Sequence, residues 1–415
     1  MTVWIVNPFD NLPMEGNRPQ RYWLMARAFV AAGHQVTLWT SDFSHATKQK
    51  RKFDSSAAPE LADAGGDRIQ VDGFAVALLP TRPYPTNVCW QRIASHLTLA
   101  RSFAVQAQRA LAAGERPDVV IASTPPVGLC AAALRAAKSC GAKFVCDIQD
   151  AWPETFGRLF PRGLKWLGRL LLTPMRRTAR TVYREADLVT GVCRRYAQLS
   201  GRADFHLAYL GVESNAEQQD KRPNPAENSP RLVYLGNLGD GYDLSTVVRA
   251  LAQRPDWSLD VAGLGPRLAT LEAEVAALGV AKRVRFHGYL GDAELSALMA
   301  SCSVGVIPMR DDSWVGLPNK LADYLKAGLH VVSSLHGECG ALLASTGFGR
   351  TYAWGDVESL LRALESLPSG PVTLPTALCA RTIYAQYVRR VCEIGNENEN
   401  SLRLHPRQTD AAQNG

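Results

Sequence analysis

The sequence predicts an α/β protein with two doubly wound domains facing a central cleft, and three observations support this fold class. The chain of 415 residues is long enough for about two domains. Short apolar strands alternate with helical segments, which is the pattern of parallel sheets. A polar stretch rich in Pro and Asn, residues 214–230, divides the alternation into two series and is typical of a linker.

The first predicted domain covers residues 1–213. Its first strand at 3–7 is followed by a Pro-, Gly- and Asn-rich loop, a helix at 21–33 and a strand at 35–41. This βαβ unit indicates a parallel sheet. Further strands are predicted at 118–124, 142–148 and 186–192, with a helix from about Gly128 to Ser139.

The second predicted domain covers residues 231–375. Its strands are predicted at 231–237, 258–263, 283–288, 303–308 and 329–334, with helices between them. A last helix at 376–394 is assigned to the first domain. The polar residues 395–415 are predicted to be disordered.

Composition narrows the class of protein. The nine cysteines are odd in number and include no Cys-x-x-Cys pair, so they suggest neither a disulfide framework nor a structural zinc site, and they favour a cytoplasmic location. The N-terminus reads as a buried strand, not as a signal peptide. Every apolar run is shorter than the roughly 18 residues of a membrane-spanning helix. The net charge of +7 is a mild bias toward anionic partners, but no nucleic-acid-binding motif accompanies it.

Four loops at predicted strand ends of the second domain are rich in glycine, at 234–243, 262–267, 286–290 and 316–328. Ligands of doubly wound sheets bind at the carboxyl ends of the strands. In the last loop, Lys320 lies in the first turn of a predicted helix, where the helix dipole is positive and disfavours a cation. An anion shared with the helix N-terminus would stabilise it. Ordinary tight turns explain a single glycine loop equally well, and no GxGxxG follows the first strand, which disfavours a dinucleotide oxidoreductase.

Several stretches resemble retaining glycosyltransferases of family 4, which have the GT-B fold of two Rossmann-like domains. The resemblance is carried by "VNPFDNLPMEGNRPQRYWLMARAFVAAGHQVTLWTS", "DIQDAWPETFG", "VYLGNLGDGYDLSTVVRAL", "LDVAGLGPRLATLE" and "LPNKLADYLKAGLHVVSS". The second of these is similar to a segment of bacterial surface-polysaccharide members. The resemblance covers nearly all of the chain to about residue 394.

The resemblance implies a retaining hexosyl- or other glycosyltransferase (EC 2.4). It would move a sugar from a UDP- or GDP-sugar to a lipid-linked or oligosaccharide acceptor in polysaccharide or exopolysaccharide biosynthesis. It implies that residues 1–213 form the acceptor-binding domain and residues 231–375 the nucleotide-sugar donor domain. It also implies catalytic roles for Lys320 and Asp150 and acceptor contacts from Gly16, Arg18 and Arg21. The implied donor-binding residues are Gly236, Asn237, Gly263, His287, Gly288, Tyr289, Leu290, Pro318, Asn319, Lys320 and Asp323.

The chain departs from the family pattern at two positions. Val315 stands where the first acid of the family's acidic pair is expected, and Asn237 replaces a phosphate-binding arginine. Asp311 and Asp312 are nearby, but the sequence does not align either of them with the missing acid. No metal or other cofactor is expected, because the nucleotide sugar is a substrate and Lys320 and the glycine loops supply positive potential. Two alternatives remain open: a nucleotide-sugar epimerase of the same fold, and a non-catalytic binding partner.

Other candidate residues have two interpretations. Asp150 either contacts the acceptor or the transferred sugar, or caps the following turn. Arg18 and Arg21 either meet an anionic acceptor or are ordinary surface charges.

The segment 155–184 carries eight basic residues and no acidic one, interleaved with Trp166 and leucines. It predicts either peripheral attachment to the anionic inner face of a membrane, or a helix with buried leucines and solvated arginines.

Overall fold

The computed structural model describes residues 1–16, 18–51, 68–87, 89–213, 230–310 and 312–404. Residues 214–229 of the predicted linker, residues 405–415 of the predicted tail, and Asp311 lie outside this range. The chain divides into two compact units. The first comprises Met1–Gly191, Ala197–Ala208 and Tyr384–Gly415, and the second comprises Val192–Tyr196 and Tyr209–Ile383.

The first unit is built on an eight-stranded sheet of order β3-β4-β2-β1-β5-β6-β7-β8, in which only the β3–β4 pair is antiparallel. The strands are β1 (Thr2–Val6), β2 (Gln35–Ser41), β3 (Arg68–Val71), β4 (Phe74–Leu79), β5 (Val119–Thr124), β6 (Lys143–Ile148), β7 (Leu188–Gly191) and β8 (His206–Leu207). Central strands such as β5 are buried along their whole length, as expected for a sheet covered on both faces.

The second unit is built on a six-stranded parallel sheet of order β11-β10-β9-β12-β13-β14. The strands are β9 (Arg231–Leu235), β10 (Ser258–Ala262), β11 (Val284–Gly288), β12 (Val304–Ile307), β13 (His330–Ser333) and β14 (Gly349–Thr351). Two apolar clusters form its core. The strand order reverses between β9 and β12, and the carboxyl ends of these strands therefore mark the crevice in which ligands bind. The predicted fold class, two doubly wound α/β domains, is confirmed.

The described residues contain thirteen α-helices. They are α1 (Arg21–Ala31), α2 (Trp90–Ala112), α3 (Val127–Cys140), α4 (Lys165–Leu171), α5 (Thr173–Glu185), α6 (Arg194–Ala197), α7 (Leu244–Gln253), α8 (Leu268–Ala277), α9 (Asp292–Ala300), α10 (Asn319–Lys326), α11 (Gly337–Thr346), α12 (Val357–Glu365) and α13 (Ala380–Leu404). The last helix differs from its predicted bounds: it begins at Ala380 and continues to Leu404, so residues 395–404, predicted to be disordered, are helical.

Candidate functional site

Lys320 occupies an electrostatically unusual position in the second unit. It lies on the first turn of α10, which follows the buried Pro318, and it is only 9% exposed. Its Nζ has no hydrogen-bond partner among the described residues. The nearest groups are the rings of Tyr234 and Tyr242, whose centroids lie 4.0 and 4.2 Å from Nζ.

Burial lowers the pKa of Lys320 to about 7. The tyrosine rings attract the cation through their π faces but do not replace the hydrogen bonds that water would make. An ammonium beside the positive end of a helix dipole is therefore stabilised by any anion that reaches it. This arrangement can bind a phosphate.

The loop after β9 passes directly beside this ammonium. A Cβ atom added to Gly236 would lie 3.4 Å from Lys320 Nζ, and both Gly236 and Asn237 are exposed. The backbone N–H of Gly236 is not free to bind a phosphate, because it donates to the Ala262 carbonyl at 2.9 Å. Gly236 thus contributes open space beside Lys320.

Gly263 is required by close packing between two loops. A Cβ atom there would lie 1.8 Å from the Gly236 carbonyl oxygen, and its φ of +154° lies at the edge of the region that favours glycine. The backbone of the loop after β10 therefore packs directly on that after β9. This contact fixes the position of Gly236 next to Lys320.

The side chain of His287 is held by a buried carboxylate. Its Nε2 lies 2.7 Å from Asp260 Oδ1, while Arg231 Nε donates to Asp260 Oδ2 at 2.6 Å. Burial raises the pKa of Asp260, but the hydrogen bonds from Arg231 and His287 outweigh it, and the net pKa is lowered. The backbone after His287, with Gly288 at a φ of +66°, leads to Tyr289, which is 82% exposed.

Two more of the predicted donor residues lie on α10 itself, and Leu290 packs against the core of the second unit. Asn319 is exposed at its first position, and Asp323 is half-buried one turn after Lys320. Val315 also packs against the core, so the position of the missing acid is filled by an apolar contact. Asp312 accepts a hydrogen bond from Arg310 Nε at 3.2 Å.

Arg21, predicted to contact an acceptor, lies in the core of the first unit, with 4% exposure. Its Nε and Nη2 each donate to the Asp147 carboxylate at 2.9 Å, and Nη1 donates to the Ala208 carbonyl at 2.8 Å. The surface position implied by the acceptor role is therefore wrong for this residue. Gly16 and Arg18, by contrast, are exposed.

Asp150 follows β6 and is bound to its own turn. Its Oδ1 accepts from the Ala151 N–H at 2.7 Å and its Oδ2 from Trp152 Nε1 at 3.1 Å, as the capping interpretation predicts. Burial raises its pKa, although these two hydrogen bonds and the charge of Arg92 lower it in part. The guanidinium of Arg92 lies 4.9 Å from the centre of the Trp152 ring.

A cluster of aromatic and histidine side chains adjoins Asp150, and the sequence analysis missed it. His96 lies between the rings of Trp152 and Phe9, at centroid distances of 5.5 and 5.8 Å. His45 lies 5.1 Å from Phe9 and hydrogen-bonds to Tyr84. Burial lowers the pKa of His45 to about 4 and that of His96 to about 3, with smaller contributions from Arg92 and, at His45, Lys48. Both imidazoles are therefore neutral at pH 7.

Most members of this cluster follow the carboxyl ends of strands: Phe9 follows β1, His45 follows β2, Tyr84 follows β4 and Trp152 follows β6. The position of these residues after strand ends could have revealed the cluster from the sequence. Strand β4, which precedes Tyr84, was not predicted, however, so the pattern was incomplete. Within the described residues, no three His, Cys, Asp or Glu side chains are placed to hold a metal ion. Among the described helices, none is both long enough and apolar enough to cross a membrane.

Comparison with solved structures supports the fold. HepE from Anabaena in complex with UDP has a TM-score of 0.57 at 14% identity, over 97% of this chain and 100% of that one. Sucrose-phosphate synthase from Thermosynechococcus elongatus has a TM-score of 0.60 at 14% identity, over 97% and 98%.

Comparison with curated proteins gives a short match. The 2-deoxystreptamine glucosyltransferase of Streptomyces kanamyceticus is 32% identical over 88 residues, which are 20% of this chain and 23% of that enzyme. This chain thus matches about a quarter of that relative's length.

Two family models match in succession along the chain. Residues 20–206 match the glycosyl transferase 4-like domain, and residues 229–369 match glycosyl transferases group 1. The two matches meet near the boundary between the two structural units and together cover most of the sequence. Both matches are to glycosyltransferase domain models, and together with the fold they support a family-4-like glycosyltransferase of the GT-B type.

Proposed function

We propose that this protein transfers a sugar from a UDP- or GDP-sugar, with retention of configuration, to a lipid-linked or oligosaccharide acceptor in surface-polysaccharide synthesis. The single observation that carries the proposal is the buried Lys320 ammonium, without a hydrogen-bond partner among the described residues, at the start of α10. Family membership and the UDP in the Anabaena structure support a nucleotide donor.

In this proposal the second unit binds the donor. The diphosphate lies against Lys320 beside Gly236, and Asp323 accepts hydrogen bonds from the ribose hydroxyls. Pro318 and Asn319 position the start of α10, and the backbone from His287 to Leu290 lines the base. As the bond between sugar and diphosphate breaks, negative charge grows on the leaving group, and the adjacent ammonium stabilises it.

The first unit binds the acceptor in the same proposal. Asp150 contacts the acceptor or the transferred sugar, and Gly16 and Arg18 lie on the loop that meets it. A carboxylate whose pKa is raised by burial is a better proton acceptor than an ordinary surface aspartate. The half-buried ring of Phe9 offers an apolar surface for a sugar or a lipid-linked chain.

The donor site is tested by thermal unfolding with and without nucleotide. We expect UDP or GDP to raise the Tm of the wild type and Lys320→Ala to remove most of that shift, because the variant lacks the cation that meets the diphosphate. Lys326→Ala, at the other end of the same helix, is the matched control and should keep the shift. An equal shift in Lys320→Ala would contradict the phosphate role.

Product analysis separates transfer from the two alternatives. Nucleotide sugars are incubated with the protein alone and with membrane lipid extract, and the products are identified by mass and by anomeric configuration. Transfer requires the extract and yields a glycolipid with the donor's configuration. An epimerised donor without extract would indicate the epimerase, and binding without turnover would indicate a non-catalytic partner.

A further inference from the structure

Large apolar side chains point into solvent on α4 and the turn before it. The exposed fractions are 46% for Leu164, 63% for Trp166, 62% for Leu170 and 61% for Leu171. The buried contact of α4 is made by Gly168, where an added Cβ would lie 2.5 Å from the Phe160 ring. The helix thus packs through its glycine and presents its bulky residues outward. This excludes the interpretation in which Leu170 and Leu171 are buried.

Arginines lie beside these apolar residues. Arg169, Arg176, Arg177 and Arg180, together with Thr173, line an open groove of about 470 Å³. Arg176 lies 3.7 Å from the Glu154 carboxylate. For the other three arginines, no carboxylate of the described residues lies within 4.0 Å. Three of the four guanidinium groups in the groove therefore have no carboxylate partner among the described residues, and the groove carries a net positive charge.

The start of α2 adds a second exposed apolar stripe. Trp90, Ile93 and Leu97 are 72%, 63% and 57% exposed and share one face of the helix by their spacing. This end of α2 is connected to the region of α4 through packed rings. Arg92 stacks on Trp152, whose ring centroid lies 4.4 Å from that of Phe156 in the 3-10 turn that α4 contacts.

We propose that the α4–α5 surface, defined as Leu164–Arg180, docks on an anionic phospholipid bilayer, with the start of α2 as a second contact. Exposed Trp and Leu insert at the level of the headgroups, and the arginines bind lipid phosphates. A soluble polyanion would use the arginines but would give the apolar residues no partner, and therefore the combination favours a bilayer. Docking does not depend on sugar transfer.

The charge contribution is tested by sedimentation of the full-length protein with vesicles of phosphatidylglycerol and phosphatidylcholine, in the absence of nucleotide. At about fivefold per cation, Arg169→Gln/Arg177→Gln/Arg180→Gln should bind about 100-fold more weakly than the wild type. The control Lys282→Gln/Arg285→Gln/Arg389→Gln removes three exposed cations elsewhere and should bind as the wild type does. If both triple variants weakened vesicle binding equally, binding would depend on the net charge of the protein and not on this surface, which would overturn the proposal.

The apolar contribution is tested with Trp166→Ser/Leu170→Ser, which alters two exposed side chains and should also weaken vesicle binding at least tenfold. Leu278→Ser, at an exposed leucine of the second unit, is the matched control. Unchanged binding of the double variant overturns insertion. A wild type that ignores anionic vesicles at about 0.1 M salt, or that binds an oligonucleotide instead, overturns the bilayer as the partner. UDP binding, measured in parallel, reports separately on the proposed function.

Discussion

At the scale of single residues, Lys320 couples the site to pH. The free protein holds this amine at a pKa of about 7 because burial disfavours the charged form. In the proposed donor site, a bound diphosphate favours the ammonium and raises the pKa of Lys320 again. On that proposal, nucleotide binding above pH 7 is accompanied by proton uptake at Lys320.

We expect UDP affinity to fall as the pH rises above about 7, the pKa of Lys320 in the free protein, by up to about tenfold per pH unit. Below this pH the amine is already charged, so the dependence should level off. Calorimetry in two buffers of different ionisation enthalpy measures the proton uptake directly. Lys320→Arg retains the charge throughout this range and should show no uptake. If proton uptake persisted in Lys320→Arg, a group other than Lys320 would be the one that binds the proton.

The carboxylate of Asp150 gives a second residue-level prediction. Asp150→Asn preserves the size of the side chain but removes the negative charge and one of the two acceptor oxygens, so its single oxygen can accept from Trp152 Nε1 or from the Ala151 N–H, not from both. We expect transfer to fall by about 10²-fold or more, with UDP affinity unchanged because the donor residues belong to the other unit. A variant with full turnover would leave Asp150 as the cap of its turn.

At the scale of elements, one buried ion pair joins α1 to β6 and β7. Besides Arg21, the Asp147 carboxylate accepts hydrogen bonds from Tyr22 OH at 2.6 Å and Thr190 Oγ1 at 2.5 Å. Burial raises the pKa of Asp147, but the charge and hydrogen bonds of Arg21 outweigh it, and the net pKa is lowered.

Removing one partner of this pair leaves the other charge buried. We expect Asp147→Ala to lower the free energy of unfolding of the first unit by about 3–5 kcal/mol, measured by urea denaturation at pH 7. The double variant Arg21→Met/Asp147→Leu should recover part of the loss. Because the folded pKa of Asp147 is depressed, the stability that the pair contributes is present above the unfolded pKa and is lost as the pH falls through the folded one. If Asp147→Ala lowered the free energy of unfolding by less than about 1 kcal/mol, the Arg21–Asp147 pair would have to be accessible to water.

The sequence predicted some elements well and missed others for physical reasons. Strands buried on both faces, such as β1 and β9, are continuous apolar runs and were predicted closely. Helix α2 was missed, and its exposed face, which carries Trp90 and Ile93, blurs the amphipathic pattern. The β3–β4 hairpin had a readable signal in Asp72-Gly73, whose φ angles of +49° and +81° fit a two-residue turn.

The candidate site was predicted in the same uneven way. Lys320 was identifiable from its place in a helix. The Gly236 N–H and the His287 ring form hydrogen bonds with residues of the neighbouring strand β10. The sequence around Gly236 or His287 does not reveal these partners. The burial of Arg21 likewise follows from Asp147, a residue distant in sequence.

At the scale of the whole molecule, the proposed charge stabilisation of the donor comes from Lys320 and a helix terminus. We expect transfer to survive EDTA, with a rate within about twofold of the untreated protein, because no step of this stabilisation uses a metal. The measurement is product formation with chelator and after re-addition of Mg²⁺ or Mn²⁺. Loss of activity with recovery on metal addition would contradict this and direct attention to Asp312.

The contact between Gly263 and the Gly236 carbonyl has a consequence for relatives of this protein. Because a Cβ at position 263 would lie 1.8 Å from that oxygen, selection on folding alone is enough to retain the glycine. A descendant that lost nucleotide binding would still need Gly263. It would gain stability by replacing Lys320 with an apolar residue, because the uncompensated cost of burying the cation would disappear. If Lys320 has its proposed role, the lysine and not the glycine is the residue that would distinguish active lineages from inactive ones.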